Sequence, residues 1–74
     1  MYGVLGCKLN GRYSILGDGE YADLAKIAAN LSEILEAEYG KENVIVKPVT
    51  LTKEKYEDIR EDARLIEKEL SVYF

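Results

Sequence analysis

Hydrophobic and polar positions alternate along the chain in a way that predicts three β-strands and two α-helices. Residues 2–9 and 12–16 are rich in Val, Leu, Ile and Tyr, and Asn10-Gly11 lies between them. That dipeptide is the strongest short-range signal of a β-hairpin, because a type I′ turn requires positive φ at both central positions. We therefore predict two antiparallel strands joined by a two-residue turn.

The hairpin turn also predicts which residues face each other. With Asn10 and Gly11 in the turn, Leu9 should lie opposite Arg12, and Leu5 should lie opposite Leu16. Successive side chains of each strand then point to opposite faces of the sheet. One predicted face carries Leu5, Cys7 and Leu9, and the other carries Tyr2, Val4, Lys8, Tyr13 and Ile15.

A long helical pattern covers residues 20–39. Gly17-Asp18-Gly19 precedes it, so we expect the second strand to break there and Asp18 to cap the helix N-terminus. Gly40 stands where a residue with positive φ commonly ends a helix. The apolar positions are three or four residues apart, as on one side of an α-helix: Tyr21, Leu24, Ile27, Ala28, Leu31, Ile34 and Leu35.

The last third of the chain predicts a strand over residues 44–49 and a single helix over residues 53–71. Pro48 indicates that the end of the strand either lies at a sheet edge or stops pairing there, because proline cannot donate a ladder hydrogen bond. Thr52 is the predicted N-cap of the helix. The helix stripe contains Tyr56, Ile59, Ala63, Ile66, Leu70 and Tyr73.

The element order is therefore β-β-α-β-α, and residues 1–74 form a single small domain with an α+β fold. A three-stranded sheet, made of the N-terminal hairpin and one crossover strand, should pack with two amphipathic helices. The strands before and after the first helix should run in the same direction. We expect both helices on one face of the sheet.

Apolar residues on both predicted faces of the sheet leave two alternatives. One helix covers each face, as in doubly wound proteins, or the uncovered face meets a second copy of the chain. We favour a homodimer, with the exposed sheet face or the second helix as the contact, because small domains often need oligomerisation to reach useful stability. The candidate interface residues are Tyr2, Val4, Tyr13, Ile15, Tyr56, Ile66 and Tyr73.

Composition narrows the function classes. The 74 residues include 14 acids, 10 bases, one cysteine and no histidine, for a net charge of −4. Without histidine, the Ser–His–Asp and Cys–His catalytic schemes lack their base, and transition-metal and haem sites have almost no ligands. We therefore expect no enzyme activity, no cofactor and no metal. The lone cysteine, with no signal peptide and no apolar membrane span, favours the cytoplasm.

Charge is unevenly placed, which raises a nucleic-acid alternative. Residues 1–19 carry a net charge of +1, whereas residues 20–40 carry five acids and one lysine. Lys8, Arg12 and Tyr13 should lie together near the hairpin tip, where they can contact phosphate and stack on a base. The negative charge of the whole chain disfavours nucleic acid as a partner.

The segment around Gly17 and Gly19 fits the pattern G-x-G-x-x-A and raises a third alternative. In dinucleotide-binding proteins such glycines let backbone amides approach a pyrophosphate. The run from Ile15 to Ala25 also resembles the opening of a flavodoxin-type domain, which implies a flavin or nucleotide phosphate at this loop. Asp18 and Glu20 put negative charge at the phosphate position, so this alternative ranks last.

The hypothesis that best fits the sequence is a small, non-enzymatic interaction or regulatory protein. It would bind itself and a second protein. Two acidic sets are candidates for docking on a basic partner, and the alternative is that both are simply solvated faces: Glu20, Asp23, Glu33 and Glu36 on the first helix, and Glu57, Asp58, Glu61 and Asp62 on the second. Abundant Glu and Lys with few amide side chains is a tendency of hyperthermophile proteins. We therefore expect an origin in a thermophile or in one of its viruses or mobile elements.

Overall fold

The computed structural model describes residues 1–74 as one sheet and three α-helices, with a short 3₁₀ turn at Lys41–Asn43. The α+β class is confirmed, and the order is the predicted one except that the last helix is divided in two. The elements are β1 (Tyr2–Leu9), β2 (Arg12–Glu20), α1 (Tyr21–Tyr39), β3 (Val44–Thr50), α2 (Lys53–Ile59) and α3 (Ala63–Leu70).

The sheet has the strand order β2-β1-β3, and β1 is antiparallel to both neighbours. Because β1 lies between them, β2 and β3 run in the same direction without pairing. The predicted common direction of these two strands is therefore confirmed. Pro48 lies in β3, which is an edge strand as predicted.

The hairpin turn is confirmed, but the register of β1 and β2 changes partway along. Asn10 and Gly11 have φ values of 50° and 82°, as a type I′ turn requires. The register shifts between Leu5 and Gly6, so Leu5 pairs with Gly17. The predicted pairing of Leu5 with Leu16 is wrong, because Leu16 is the extra residue of a β-bulge.

The strand break and the Asp18 cap that we predicted before α1 are also wrong. Past the bulge, β2 continues to Glu20, and Asp18 pairs with Val4 of β1. Glu20 is the N-cap residue, and its side chain makes no capping hydrogen bond. The Tyr21 amide donates instead to the Met1 carbonyl oxygen at 2.7 Å. Pairing with β1 therefore outweighs the local preference of this glycine-rich segment for a loop.

An ion pair lies at the N-terminal end of α1, and a glycine ends the helix at its C-terminus. Glu20 accepts hydrogen bonds from the Met1 ammonium at 2.7 and 2.8 Å. This hydrogen bond lowers the pKa of the Glu20 carboxyl group. At the other end, Gly40 has a φ of 95° and its amide donates to the Glu36 carbonyl oxygen. The predicted positive φ at Gly40 is confirmed.

The single helix predicted over residues 53–71 is wrong, because the segment is interrupted after Ile59. The Thr52 hydroxyl accepts from the Lys55 amide at 3.1 Å, so the predicted first cap is confirmed. The Asp62 carboxylate then accepts from the amides of Arg64 at 3.0 Å and Leu65 at 3.4 Å. Asp side chains compete in this way with the helical backbone and favour a helix start over a helix interior.

The helices pack on opposite faces of the sheet, so the expectation that both lie on one face is wrong. On the α1 side the buried cluster is Leu5, Cys7, Leu24, Ala28, Val44 and Val46. On the side of α2 and α3 it is Val4, Val49, Leu51, Ile59, Ile66 and Leu70. This arrangement explains why the strands carry apolar residues on both faces. None of the helices has the length and hydropathy of a membrane span.

Candidate functional site

Most of the residues predicted to form a homodimer interface are buried or half-buried within the single molecule. Val4 and Ile66 are 0% and 8% exposed and belong to the core next to α2 and α3. Tyr73 is the most accessible, with 41% of its surface exposed. Three others are half-buried against the same core: Tyr13, Ile15 and Tyr56. The homodimer stays a prediction. Of its two predicted contacts, the sheet face is covered by α2 and α3, whereas the contact through the second helix is untested.

Tyr2 is the remaining predicted interface residue, and it is held by polar and aromatic contacts. Its hydroxyl donates to the Asp18 carboxylate at 2.8 Å, and its ring centroid lies 6.3 Å from that of Tyr56. Burial, together with the hydrogen bond and negative charge of Asp18, raises the pKa of Tyr2 to about 12. Asp18 is therefore engaged with a tyrosine on the sheet.

The segment predicted as a phosphate loop has a different geometry from such a loop. Gly17 and Gly19 pair with Leu5 and Gly3 as part of β2. A dinucleotide-binding loop needs free backbone amides between the strand and the helix. Here α1 begins immediately after the strand, so the amides of Gly17 and Gly19 are not gathered at its N-terminus.

The remaining chemistry-bearing residues form no reactive or metal-binding cluster. Cys7 is 2% exposed, and burial raises the pKa of its thiol. A buried, protonated thiol is a poor nucleophile. No group of three or more Cys, Asp or Glu side chains is placed to hold a metal ion.

An exposed surface of α1 combines aliphatic and acidic side chains. Ile27 and Ile34 are 45% and 61% exposed, and residues seven apart lie on the same side of a helix. Asp23 lies one turn before Ile27, and Glu38 lies one turn after Ile34. We call these four residues the α1 stripe. Another side of the same helix, which includes Leu24, is buried against the sheet.

The acidic residues of the α1 stripe form no ion pair. The two ion pairs of the structure join Met1 to Glu20 and Lys55 to Glu69, so neither Asp23 nor Glu38 is paired. Residues 20–40 contain five acids and one lysine. The stripe therefore presents two isoleucines between unpaired carboxylates.

A second surface, on the face covered by α2 and α3, combines lysines with aromatic rings. The Lys8 ammonium lies 5.3 Å from the Tyr13 ring centroid, and the Lys47 ammonium lies 5.0 Å from that of Phe74. The two rings meet edge to face, with centroids 5.7 Å apart. We call these four residues the aromatic–lysine cluster. Arg12 is exposed beside it and shares a shallow depression with Tyr13.

Sequence reasoning found Lys8, Arg12 and Tyr13 but missed Lys47 and Phe74. The hairpin register pairs Lys8 with Tyr13, which the Asn-Gly turn already implied. Lys47 joins them only because β3 pairs with β1 and sets Lys47 opposite Gly6. Phe74 fits over Gly6, where an added Cβ would lie 3.0 Å from its ring. The absent side chain at Gly6 was the one local signal of this contact.

Next to the aromatic–lysine cluster, a groove runs along the outer edge of β3. Two tyrosines flank it, Tyr21 from α1 and Tyr73 from the C-terminal segment, and they are 38% and 41% exposed. Lys47 belongs to both the groove and the cluster, so the two features are continuous. The groove is lined by Tyr21, Lys47, Pro48, Val49, Thr50 and Tyr73.

No family model, curated protein or solved structure matches this chain. The molecule itself presents two surfaces of opposite character. The α1 stripe is aliphatic and acidic, whereas the aromatic–lysine cluster is aromatic and basic. Ligands that suit one surface are therefore repelled or poorly matched by the other.

Proposed function

We propose that this protein is a non-enzymatic interaction module that binds another protein through the α1 stripe. The observation that carries the proposal is the exposure of Ile27 and Ile34, at 45% and 61%, on a helix that is already packed by other residues. Apolar side chains at this spacing are the anchors by which amphipathic helices dock into grooves of partner proteins. Binding alone is sufficient for a regulatory role, and no catalysed reaction is required.

Charge favours a basic partner over a second copy at this surface. Asp23 and Glu38 bracket the two isoleucines and have no ion-pair partner. Two copies that met through the α1 stripe would bring these carboxylates together, and like charges across an interface are unfavourable. A groove with an apolar floor and lysines or arginines at its rim would complement the stripe.

The proposal includes a cytoplasmic location and allows a homodimer through another surface. The single cysteine is free and buried, which is in keeping with a reducing compartment. The outer side of β2 has no strand partner within the chain. Such an edge can pair with the same strand of a second copy, and this pairing would leave the α1 stripe accessible.

The test is affinity capture from extracts of the source cell, with direct binding measurements on the protein identified. We expect a basic partner whose affinity falls about tenfold or more in the double variant Ile27→Ser/Ile34→Ser, because truncating interface anchors commonly costs 2 kcal/mol or more. Both side chains are exposed, so circular dichroism should show an unchanged fold. The matched control is Leu65→Ser on α3, since Leu65 is 40% exposed.

Several outcomes would overturn the proposal. A partner that binds the double variant as tightly as the wild type does not use the α1 stripe. An acidic partner would contradict the charge argument. Sedimentation would reveal a third outcome: a homodimer that dissociates in the double variant, in which case a second copy occupies the stripe.

A further inference from the structure

We infer that the molecule carries a second binding site, for single-stranded nucleic acid, which extends from the face opposite α1 to the adjoining edge of β3. The site combines the aromatic–lysine cluster with the adjoining groove at the edge of β3. It is independent of the proposed function, because its residues are separate from the α1 stripe and face another direction. Five different segments of the chain supply it: β1, β2, β3, the first residue of α1 (Tyr21) and the residues after α3.

Two lysines of the site lie side by side on the sheet. Lys8 pairs with Ile45, and Lys47 pairs with Gly6, so the two lysines are diagonal neighbours on one face of adjacent strands. Neither ammonium makes an ion pair, because the two ion pairs in the structure lie elsewhere. Two unpaired ammonium groups side by side suit successive phosphates of one strand.

Four aromatic rings surround these lysines. Tyr13 and Phe74 are half-buried against the core, which holds Lys8 and Lys47 over firmly packed rings. Tyr73 and Tyr21 are more accessible and stand at the groove next to Lys47. Exposed tyrosine rings stack on unpaired bases whatever the base sequence. The arrangement thus offers stacking surfaces within reach of a phosphate-binding lysine.

Single-stranded nucleic acid fits these features better than a duplex or a peptide. A duplex hides its bases, so it would leave the tyrosine rings unused, and it requires a broader basic surface than a chain of net charge −4 provides. A proline-rich peptide binds in aromatic grooves, but it has no phosphates for Lys8 and Lys47 to contact. Glu42 and Glu67 line depressions with Lys8 and Arg12. We count only the two lysines that lie over aromatic rings as phosphate contacts.

The test is a fluorescence anisotropy titration of the full chain with a labelled single strand of about 12 nucleotides. Two phosphate contacts predict a slope of about −1.4 when the logarithm of the association constant is plotted against the logarithm of salt concentration. Lys47→Gln and Lys8→Gln should each reduce the steepness by about 0.7. Lys26→Gln, on the exposed side of α1, is the control and should leave the slope unchanged.

A second pair of variants tests the stacking. Tyr73→Ala should weaken binding about fivefold or more, because base stacking on an aromatic ring is worth roughly 1–3 kcal/mol. Tyr73→Phe should retain most of the affinity. Tyr39→Ala is the control, because Tyr39 is exposed to the same extent, 41%, but lies at the end of α1. Circular dichroism on every variant separates loss of binding from loss of fold.

Three results would overturn the inference. One is the absence of saturable binding to the single strand at low salt. Another is a salt slope that Lys47→Gln leaves unchanged or that Lys26→Gln lowers equally. The third is a preference for a duplex of the same sequence or for a proline-rich peptide. Each of these results leaves the test of the α1 stripe unaffected, because that test uses different residues and a protein ligand.

Discussion

The two faces of the sheet are covered by helical segments built in different ways. α1 is one uninterrupted helix of 19 residues, yet only Leu24 and Ala28 of it are fully buried. α2 and α3 have 7 and 8 residues, and together they bury Ile59, Ile66 and Leu70. The interrupted segment therefore places more of its residues in the core than the long helix does.

This difference shows how a 74-residue chain can have both a core and accessible apolar side chains. A straight helix touches a sheet along one line, so part of its apolar surface stays accessible, as Ile27 and Ile34 show. On the other face, the turn between α2 and α3 lets both helices contribute to one cluster with Leu51 and Val49. One face thus provides an accessible aliphatic surface, and the other provides packing that supports the rings of Tyr13 and Phe74.

The largest effect is expected from truncating the fully buried leucine of α3. Leu70 is 0% exposed, so Leu70→Ala should lower the free energy of unfolding by about 2–5 kcal/mol. Leu24→Ala makes the equivalent change on the α1 face, where the side chain is 4% exposed. We expect a loss in the same range but nearer its lower end. Urea titration followed by circular dichroism measures both.

Leu65→Ala is the control for this pair, because Leu65 lies on α3 but is 40% exposed. Its effect should be within about 0.5 kcal/mol, as for most surface substitutions. If Leu70→Ala were no more costly than Leu65→Ala, the packing of α3 against the sheet would be contradicted. If Leu24→Ala were far more costly than Leu70→Ala, the α1 face would be the dominant half of the core.

A smaller effect is expected from two glycines of β1 that face opposite sides of the sheet. A Cβ at Gly3 would lie 2.7 Å from the Val49 carbonyl oxygen, which belongs to the neighbouring backbone. A Cβ at Gly6 would lie 3.0 Å from the Phe74 ring, which can move aside. Gly3→Ala should therefore cost about 1–3 kcal/mol of unfolding free energy, the range of overpacked sites, and Gly6→Ala should cost less.

Gly17→Ala in β2 is the matched control, because a Cβ there would meet nothing within 4 Å. Thermal unfolding of the three variants should rank Gly3→Ala as the least stable and Gly17→Ala as close to wild type. Gly6→Ala carries an added readout, since displacing Phe74 should also weaken the aromatic–lysine cluster. Equal losses at Gly3 and Gly17 would contradict the close approach of β1 and β3.

The features predicted correctly from the sequence are those that local patterns decide. Positive φ at Asn10 and Gly11, the Thr52 cap and the burial of Leu24 and Ala28 on α1 each depend on residues within one or two turns of each other. The extension of β2 through Gly17-Asp18-Gly19 could not be predicted in this way. Those residues favour a loop, and only pairing with β1 makes them a strand.

The same distinction between local and long-range contacts applies to the candidate site. The contact between Lys8 and Tyr13 follows from the hairpin register. Lys47 and Phe74 join them through the pairing of β3 with β1 and through the return of the chain after α3. Such contacts join residues far apart in sequence, and no local periodicity encodes them. Conversely, the exposure of Ile34 was hidden by a regular helical pattern that made it look like a core residue.

The smallest effect is expected at Asp62, in the turn that separates α2 from α3. Asp62→Ala removes the carboxylate that accepts from the Arg64 and Leu65 amides, so it should lower the free energy of unfolding by about 1 kcal/mol. Asp58→Ala is the control, because Asp58 is exposed and lies before the turn.

The helical signal in circular dichroism decides what causes the turn at Asp62. We expect this signal to stay constant in Asp62→Ala, because Ile59 and Ile66 remain buried in one cluster on either side of the turn. A stronger helical signal without loss of stability would mean that α2 and α3 had fused. The turn would then depend on the side chain of Asp62 alone. A straight helix would pack against this face of the sheet as α1 does against the other face.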